Sequence, residues 1–399
     1  MLCLVVVTLC VFLALSQPVA YADYLTEWSG TAPVLGFTVH NYPSPVAALS
    51  CVASEARVFC VGGLNGTSQT TGSTYSAPLS KLGIGEWTKL GDYPTGIAGQ
   101  ACVAYSGYIY CVGGLQVAET STSNPQITPA VYFAPITTSG MGGWIRTTDY
   151  PFGVYNQSCA VSQGYIYCVG GIDSNSSAVS AVEYAQLLPS GISGWRTASS
   201  YPVKVAAESC SAYASRLYCV GGLNATSIAT DTVFYASLNR TVPGWTGETA
   251  YPNPVAGQSC IVRYPGLYCV GGLNATSLAT RSVFFSYLNE TLVNWIGSVA
   301  YPVDIQSQSC VGYSSQIYCI GGYDGVQVLE SVYFASVGPA PAGLGATTIT
   351  TPGANSSAGG ASPYPLALDL VLAATACTSI LIIVRWAPKK RNAVQGDLP

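Results

Sequence analysis

The sequence predicts an all-β chain built on six repeats, and two observations carry that reading. The tetrapeptide Cys-Val-Gly-Gly or Cys-Ile-Gly-Gly occurs at Cys60, Cys111, Cys168, Cys219, Cys269 and Cys319, at spacings of 51, 57, 51, 50 and 50 residues. A second cysteine stands nine residues before each of these, giving the pairs Cys51/Cys60, Cys102/Cys111, Cys159/Cys168, Cys210/Cys219, Cys260/Cys269 and Cys310/Cys319. A period of this length marks propellers and solenoids. A unit present six times is architecture before it is an active site.

The two ends are different material. Residues 1–22 hold the apolar run Leu2 to Leu15 and then Ala20-Tyr21-Ala22, which together read as a secretory signal peptide. The segment before that run lacks Lys and Arg, so retention as an anchor is the alternative. Leu366 to Val384 gives 19 residues interrupted only by Asp369. As a helix this run is about 28 Å long, close to the hydrocarbon thickness of a bilayer. Arg385, Lys389, Lys390 and Arg391 come next and mark the cytoplasmic side, which puts the repeats outside. Asp369 is expected at the outer interface rather than as a functional intramembrane acid. The expected order is a signal peptide over 1–22, the repeat domain over 23–337, a flexible stalk over 338–364, a transmembrane helix over 365–386 and a basic tail over 387–399. The stalk carries Gly338-Pro339-Ala340-Pro341, a threonine run and Asn355-Ser356-Ser357, too little apolar surface to bury a core.

Between residues 23 and 362 there are 16 acidic and 10 basic residues, which gives no nucleic-acid surface. The charged fraction is 8%, against about 25% in soluble domains. Eight sequons, at Asn65, Asn156, Asn175, Asn224, Asn239, Asn274, Asn289 and Asn355, offer glycans to keep such a surface wet. Sparse carboxylates also suit an acidic habitat, since few lose charge as pH falls.

Cysteine chemistry is set by local structure. The segment between Cys102 and Cys111 reads as two short strands around Ser106-Gly107. With a two-residue turn there, the cysteines face each other as a non-hydrogen-bonded pair about 4.5 Å apart at Cα, close enough for a disulfide. The equivalent turns at Glu55-Ala56, Gln163-Gly164, Ala214-Ser215, Tyr264-Pro265 and Ser314-Ser315 are not all favourable, so some hairpins are expected to slip or open. Metal sites would want Cys-x-x-Cys or Cys/His clusters, which are absent from the sequence. The glycine pair supplies backbone conformations at a strand end. The residues after the pair, Leu223 to Ser227 for example, read as a loop and not as the helix start that a phosphate cradle needs.

After each glycine pair come a loop, an apolar strand with an aromatic, a turn and a tryptophan. The aromatics are Tyr75, Tyr132, Tyr184, the Val233 to Ala236 strand, Phe285 and Tyr333, and the tryptophans Trp87, Trp144, Trp195, Trp245 and Trp295. In these features residues 24 to 337 resemble the kelch repeat family. The resemblance implies four-stranded blades and hence a six-bladed kelch-like β-propeller. The sixth unit lacks a tryptophan and Trp28 stands alone before the first, so an N-terminal strand is expected to close the last blade. Six Tyr-Pro steps, at Tyr42, Tyr93, Tyr150, Tyr201, Tyr251 and Tyr301, precede the inner strands.

Two residues before each first cysteine stand Leu49, Gln100, Gln157, Glu208, Gln258 and Gln308. This set is either a binding ring at the channel mouth, with directed hydrogen bonds to a sugar or peptide, or inter-blade bonding with ordered water. Sequons Asn65, Asn175, Asn224 and Asn274 are expected on the face of that mouth and Asn239 and Asn289 on the opposite one. Glycans in the first group would spare a central pocket, with loops 115–126 and 323–329 as the open rim. The 28 tyrosines mostly recur at fixed repeat positions and read as core and turn residues.

Copper oxidase or sialic-acid chemistry is known in the family. His40 is the one histidine, which excludes a copper site built on several. No Gly-x-Ser-x-Gly element or Walker loop occurs in a suitable setting, and a glycosidase built on carboxylates from distant blades stays open. The sequence thus leads to a single-pass surface glycoprotein used in recognition or adhesion, with no cofactor, no metal and no catalytic set. Its expected partners are the membrane and glycans or envelope proteins. The alternatives are a glycan-acting enzyme using channel-mouth acids such as Glu208, or a structural component of the cell envelope.

Overall fold

The computed structural model describes residues 23–30, 38–117, 125–238, 242–288, 292 and 294–339. The segments expected as signal peptide, transmembrane helix and tail, nearly all of the stalk, and Asn239, Asn289 and Asn355 lie outside the described residues. Among the described residues there is no helix, and so none long and apolar enough to cross a membrane.

Six antiparallel sheets form the blades of a propeller. Their inner strands are Ser50–Ser54, Ala101–Tyr105, Ser158–Ser162, Ser209–Tyr213, Ser259–Arg263 and Ser309–Tyr313, one in each of blades 1 to 6. Each lies against the inner strands of both neighbours, and the sixth returns to the first, which closes the ring. Val, Ile and Tyr dominate the second strands, such as Tyr108–Val112 and Tyr165–Val169, because β-branched and aromatic side chains pack well on a pleated surface. The cores are layers between blades rather than one central mass. One such layer joins Tyr167, Val169 and Val182 of blade 3 to Val205, Leu217 and Ala236 of blade 4.

All six hairpins keep a two-residue turn, with registers such as Ser54↔Arg57, Tyr105↔Tyr108 and Tyr213↔Arg216. The expectation that poor turns slip or open is therefore corrected. Glu55 and Ala56 at φ 47° and 59°, and Ala214 and Ser215 at 45° and 61°, adopt the left-handed conformation despite their side chains. The paired cysteines beyond each turn fix its register. Every pair is a disulfide, with Cα atoms 4.0 to 4.1 Å apart.

The N-terminal segment closes blade 6. Asp23–Leu25 pairs antiparallel with Val337 to Pro339, and Ser29 bridges Phe334. Trp28 occupies the place of the missing sixth tryptophan. Its ring meets Tyr301 edge-on at 4.8 Å, as Trp87 meets Tyr42 and Trp144 meets Tyr93 at 4.9 Å. The last strand, Val332–Pro339, runs away from the loops after the glycine pairs, so the chain leaves the propeller on the opposite face.

Candidate functional site

Four members of the polar ring expected at the channel mouth make bonds between blades. The side-chain amides of Gln100, Gln157, Gln258 and Gln308 donate from Nε2 to the carbonyl oxygens of Val61, Val112, Val220 and Val270 at 2.7 to 2.8 Å. Each acceptor belongs to the preceding blade and directly precedes a glycine pair. The four glutamines are 5 to 6% exposed, so their amides face protein rather than solvent. The first glycine of every pair sits at φ 61° to 65°. A Cβ at Gly62 would stand 2.9 Å from the amide nitrogen of Gln100, so the glycine also makes room for the bond.

Serine supplies a second inter-blade bond of the same sense, each blade again donating to the one before it round the ring. The hydroxyls of Ser50, Ser158, Ser209, Ser259 and Ser309 accept the backbone N–H of the first cysteine in the next blade at 2.9 to 3.1 Å. The two sets are complementary. Leu49 lacks the amide at the junction of blades 6 and 1, where Ser309 remains, and Ala101 lacks the hydroxyl between blades 2 and 3, where Gln157 remains.

Next to these residues the main chain forms a hydrogen-bonded ring. Ala48 accepts from Gly99, Gly99 from Asn156, Asn156 from Ala207, Ala207 from Gly257, Gly257 from Ser307 and Ser307 from Ala48, at 2.7 to 2.9 Å. All six residues have φ between 51° and 64°. Backbone N–H and C=O groups that satisfy one another round a ring leave few for a ligand. Asn156 is thus a member of this ring as well as a sequon.

The remaining described sequons lie in loops after the glycine pairs. Asn65, Asn224 and Asn274 are Asx-turn residues, each accepting through Oδ1 from the backbone N–H and hydroxyl of the sequon threonine at 2.8 to 2.9 Å. In blade 3 Asp173 holds the equivalent turn, accepting from Asn175 and Ser177 at 2.9 and 3.0 Å, and Asp324 does so in blade 6. Exposed apolar side chains stand in these loops in three consecutive blades: Ile228 (52%), Leu278 (63%) and Val326 (85%). Blade 1 has Gln69 and blade 3 has Ser177 where blade 4 has Ile228, so among the described residues the exposed apolar side chains of these loops lie on blades 4, 5 and 6.

A cleft of about 330 Å³ opens on the flank of blade 3, lined by Tyr165, Tyr184, Gln186, Ser193, Trp195 and Arg196. Sequence reasoning did not single it out. In blades 1 and 2 the position of Gln186 is Pro78 and Pro135, as the pairings Pro78↔Arg57, Pro135↔Tyr108 and Gln186↔Tyr165 establish. Those prolines pack over Gly85 and Gly142, the counterparts of Ser193. Blade 3 thus exchanges a proline on glycine for an amide beside a hydroxyl. Arg196 replaces Ile145 of blade 2 and Thr88 of blade 1, and it has no ion-pair partner among the described residues. The cleft combines aromatic walls, with Tyr165 and Tyr184 at 6.3 Å, and an exposed guanidinium. No group of three or more His, Cys, Asp or Glu among the described residues forms a metal cluster.

No protein-family model and no curated protein matches the chain. Among solved structures it is similar to the structure of YjhT, with a TM-score of 0.62 and 16% identity over 74% of this chain and 95% of that one. YjhT is a propeller, and the likeness agrees with the six-bladed fold of this chain.

Proposed function

We propose that this chain is a membrane-anchored, extracellular, N-glycosylated member of the kelch repeat family that recognises glycans through the flank of blade 3. One observation carries the reading: the pair Gln186 and Arg196 stands in blade 3 alone, the two positions being Pro78 and Thr88 in blade 1, Pro135 and Ile145 in blade 2, Ser237 and Thr246 in blade 4, Tyr287 and Ile296 in blade 5, and Ser336 and Ser29 in blade 6. A feature shared by every blade serves the ring, whereas Gln186, Ser193 and Arg196 break the pattern of blades 1 and 2 together and at one place. A sugar presents an apolar C–H face and a rim of hydroxyls. Trp195 and Tyr165 offer flat apolar surface for the first, while Arg196 and Gln186 offer fork-shaped and amide donors for the second. The size suits one or two sugar units, since small-ligand clefts begin near about 300 Å³. Six disulfides support export to an oxidising compartment.

The test is a glycan-binding screen with the full chain, followed by Trp195→Ala and Arg196→Ala. Saturable binding that either change weakens at least tenfold supports the reading. Binding untouched by both, or none in a chain with all six disulfides formed, sinks it. A second reading, a protein partner, is favoured by Ile228, Leu278 and Val326, whose side chains face solvent on consecutive blades. Capture of a partner protein that Ile228→Ser and Leu278→Ser together abolish would support it.

A further inference from the structure

Glu208 stands in blade 4 where blades 2, 3, 5 and 6 carry a latching glutamine. In those blades the amide nitrogen lies over the first glycine of the preceding blade's pair. A Cβ placed on Gly62, Gly113, Gly221 or Gly271 would meet it at 2.9 to 3.1 Å. A Cβ placed on Gly170 would meet Oε1 of Glu208 at 2.9 Å. The carboxyl oxygen therefore holds the donor's place, next to the carbonyl of Val169, which corresponds to Val61, Val112, Val220 and Val270. An ionised carboxylate only accepts hydrogen bonds, so in that state two acceptors would face each other. Glu208 is 5% exposed, and neither of its carboxyl oxygens has a hydrogen-bond partner in place.

We propose that Glu208 is kept as a neutral carboxylic acid whose Oε1–H donates to the carbonyl oxygen of Val169, making the junction of blades 3 and 4 a proton-dependent latch that weakens as pH rises.

The surroundings favour the neutral form. Val205 and Gly170 pack beside the carboxyl, and Gly222 lies against its Cβ. The titratable groups around it are the buried phenols of Tyr150 and Tyr201, with Glu183 acting on Tyr150 from the third strand of blade 3. Both phenols are raised above their ordinary range by burial first and then by these carboxylates, so neither is a source of positive charge. No Lys, Arg or His among the described residues contributes to the titration of Glu208. Burial pushes Glu208 up to about 8, opposed only in part by the backbone N–H dipoles of Glu208 and Ser158, which lie near the carboxyl without closing a hydrogen bond to it. The Ser158 hydroxyl is already an acceptor for Cys210.

Proton linkage fixes the sign of the pH effect. An unfolded glutamate titrates near about 4.3. Below that value both states hold the proton and there is no difference between them. Between there and about 8 the folded chain keeps a proton that the unfolded chain has released, so stability falls with rising pH. Above about 8 both are ionised and the loss is complete.

Thermal unfolding of the full chain, monitored across this pH range, tests the proposal with Glu208→Gln and Gln157→Glu. The wild-type midpoint should fall across the window. Glu208→Gln should flatten that fall and raise the midpoint at the alkaline end, since glutamine donates at every pH. Gln157→Glu should add a second fall by moving the acid one junction along. An infrared band of a protonated carboxyl, present at neutral pH and lost in Glu208→Gln, gives a readout independent of stability. Parallel midpoint profiles for wild type and Glu208→Gln, or absence of that band, would overturn the proposal.

Discussion

Trp28 and Tyr301 lie 273 positions apart in the chain, yet their rings meet at 4.8 Å and 73°, and the Trp28 indole N–H donates to Val299 at 3.1 Å. This contact makes the N-terminal segment part of the last blade. Leu25, 1% exposed, anchors the same segment in the core of blades 5 and 6.

Closure of this kind predicts that the N-terminal strand carries much of the stability. Leu25→Ala should cost about 2 to 5 kcal/mol, the range for emptying a buried leucine site. Guanidinium unfolding of the full chain measures it. A loss below about 1 kcal/mol would mean that blade 6 holds without its fourth strand.

The junctions should differ in how much they depend on glutamine. At blades 4 and 5 Gln258 is backed by Ser209, whereas at blades 2 and 3 Ala101 leaves Gln157 alone. Gln157→Leu should therefore cost about 1 to 3 kcal/mol, the penalty of stranding a buried carbonyl, and more than Gln258→Leu. Ala101→Ser should recover about 1 kcal/mol by restoring the hydroxyl. Equal losses at the two junctions in a matched denaturation series would refute the complementarity.

Repetition decided what could be read from sequence. The cysteine pairs, the Tyr-Pro steps and the displaced Trp28 recur at fixed spacing, so chain-local pattern was enough to place them. The glutamines were visible as a series, but the carbonyls they bond come from another repeat and no spacing names them. The main-chain ring was hidden because Ala48 and Ala207 adopt positive φ, and nothing in an alanine announces that conformation. The cleft was hidden for the opposite reason. Gln186 and Arg196 are set apart as a pair only when strand register aligns them with their counterparts, such as Pro78 and Thr88 or Ser237 and Thr246, in the other blades.

The disulfides should act independently of one another. Each closes a ten-residue loop, worth about 2 to 3 kcal/mol in the chain-entropy model. Replacing Cys102 and Cys111 together by serine should therefore cost about that much, and removing Cys260 and Cys269 as well should roughly double it, because the two bridges share no partner. The comparison is of unfolding midpoints and slopes in denaturant. A collapse of the whole ring after loss of one bridge would show coupling between blades that the local loops do not explain.

The sequon loops allow glycan and turn to be separated. Asn65, Asn224 and Asn274 each use Oδ1 as the turn acceptor, and Asp173 and Asp324 perform the same task without an amide. Asn224→Asp should then abolish glycosylation at that loop while changing stability by less than about 0.5 kcal/mol, as expected of a neutral surface change. Asn224→Ala should lose the glycan and about 1 kcal/mol besides, since the turn loses its acceptor. Intact mass reports the glycan and denaturation reports the turn. Asn156 should carry none, because its backbone is part of the main-chain ring and its loop is packed among the blades. A glycan found at Asn156, or equal destabilisation by Asp and Ala at Asn224, would count against this assignment of roles.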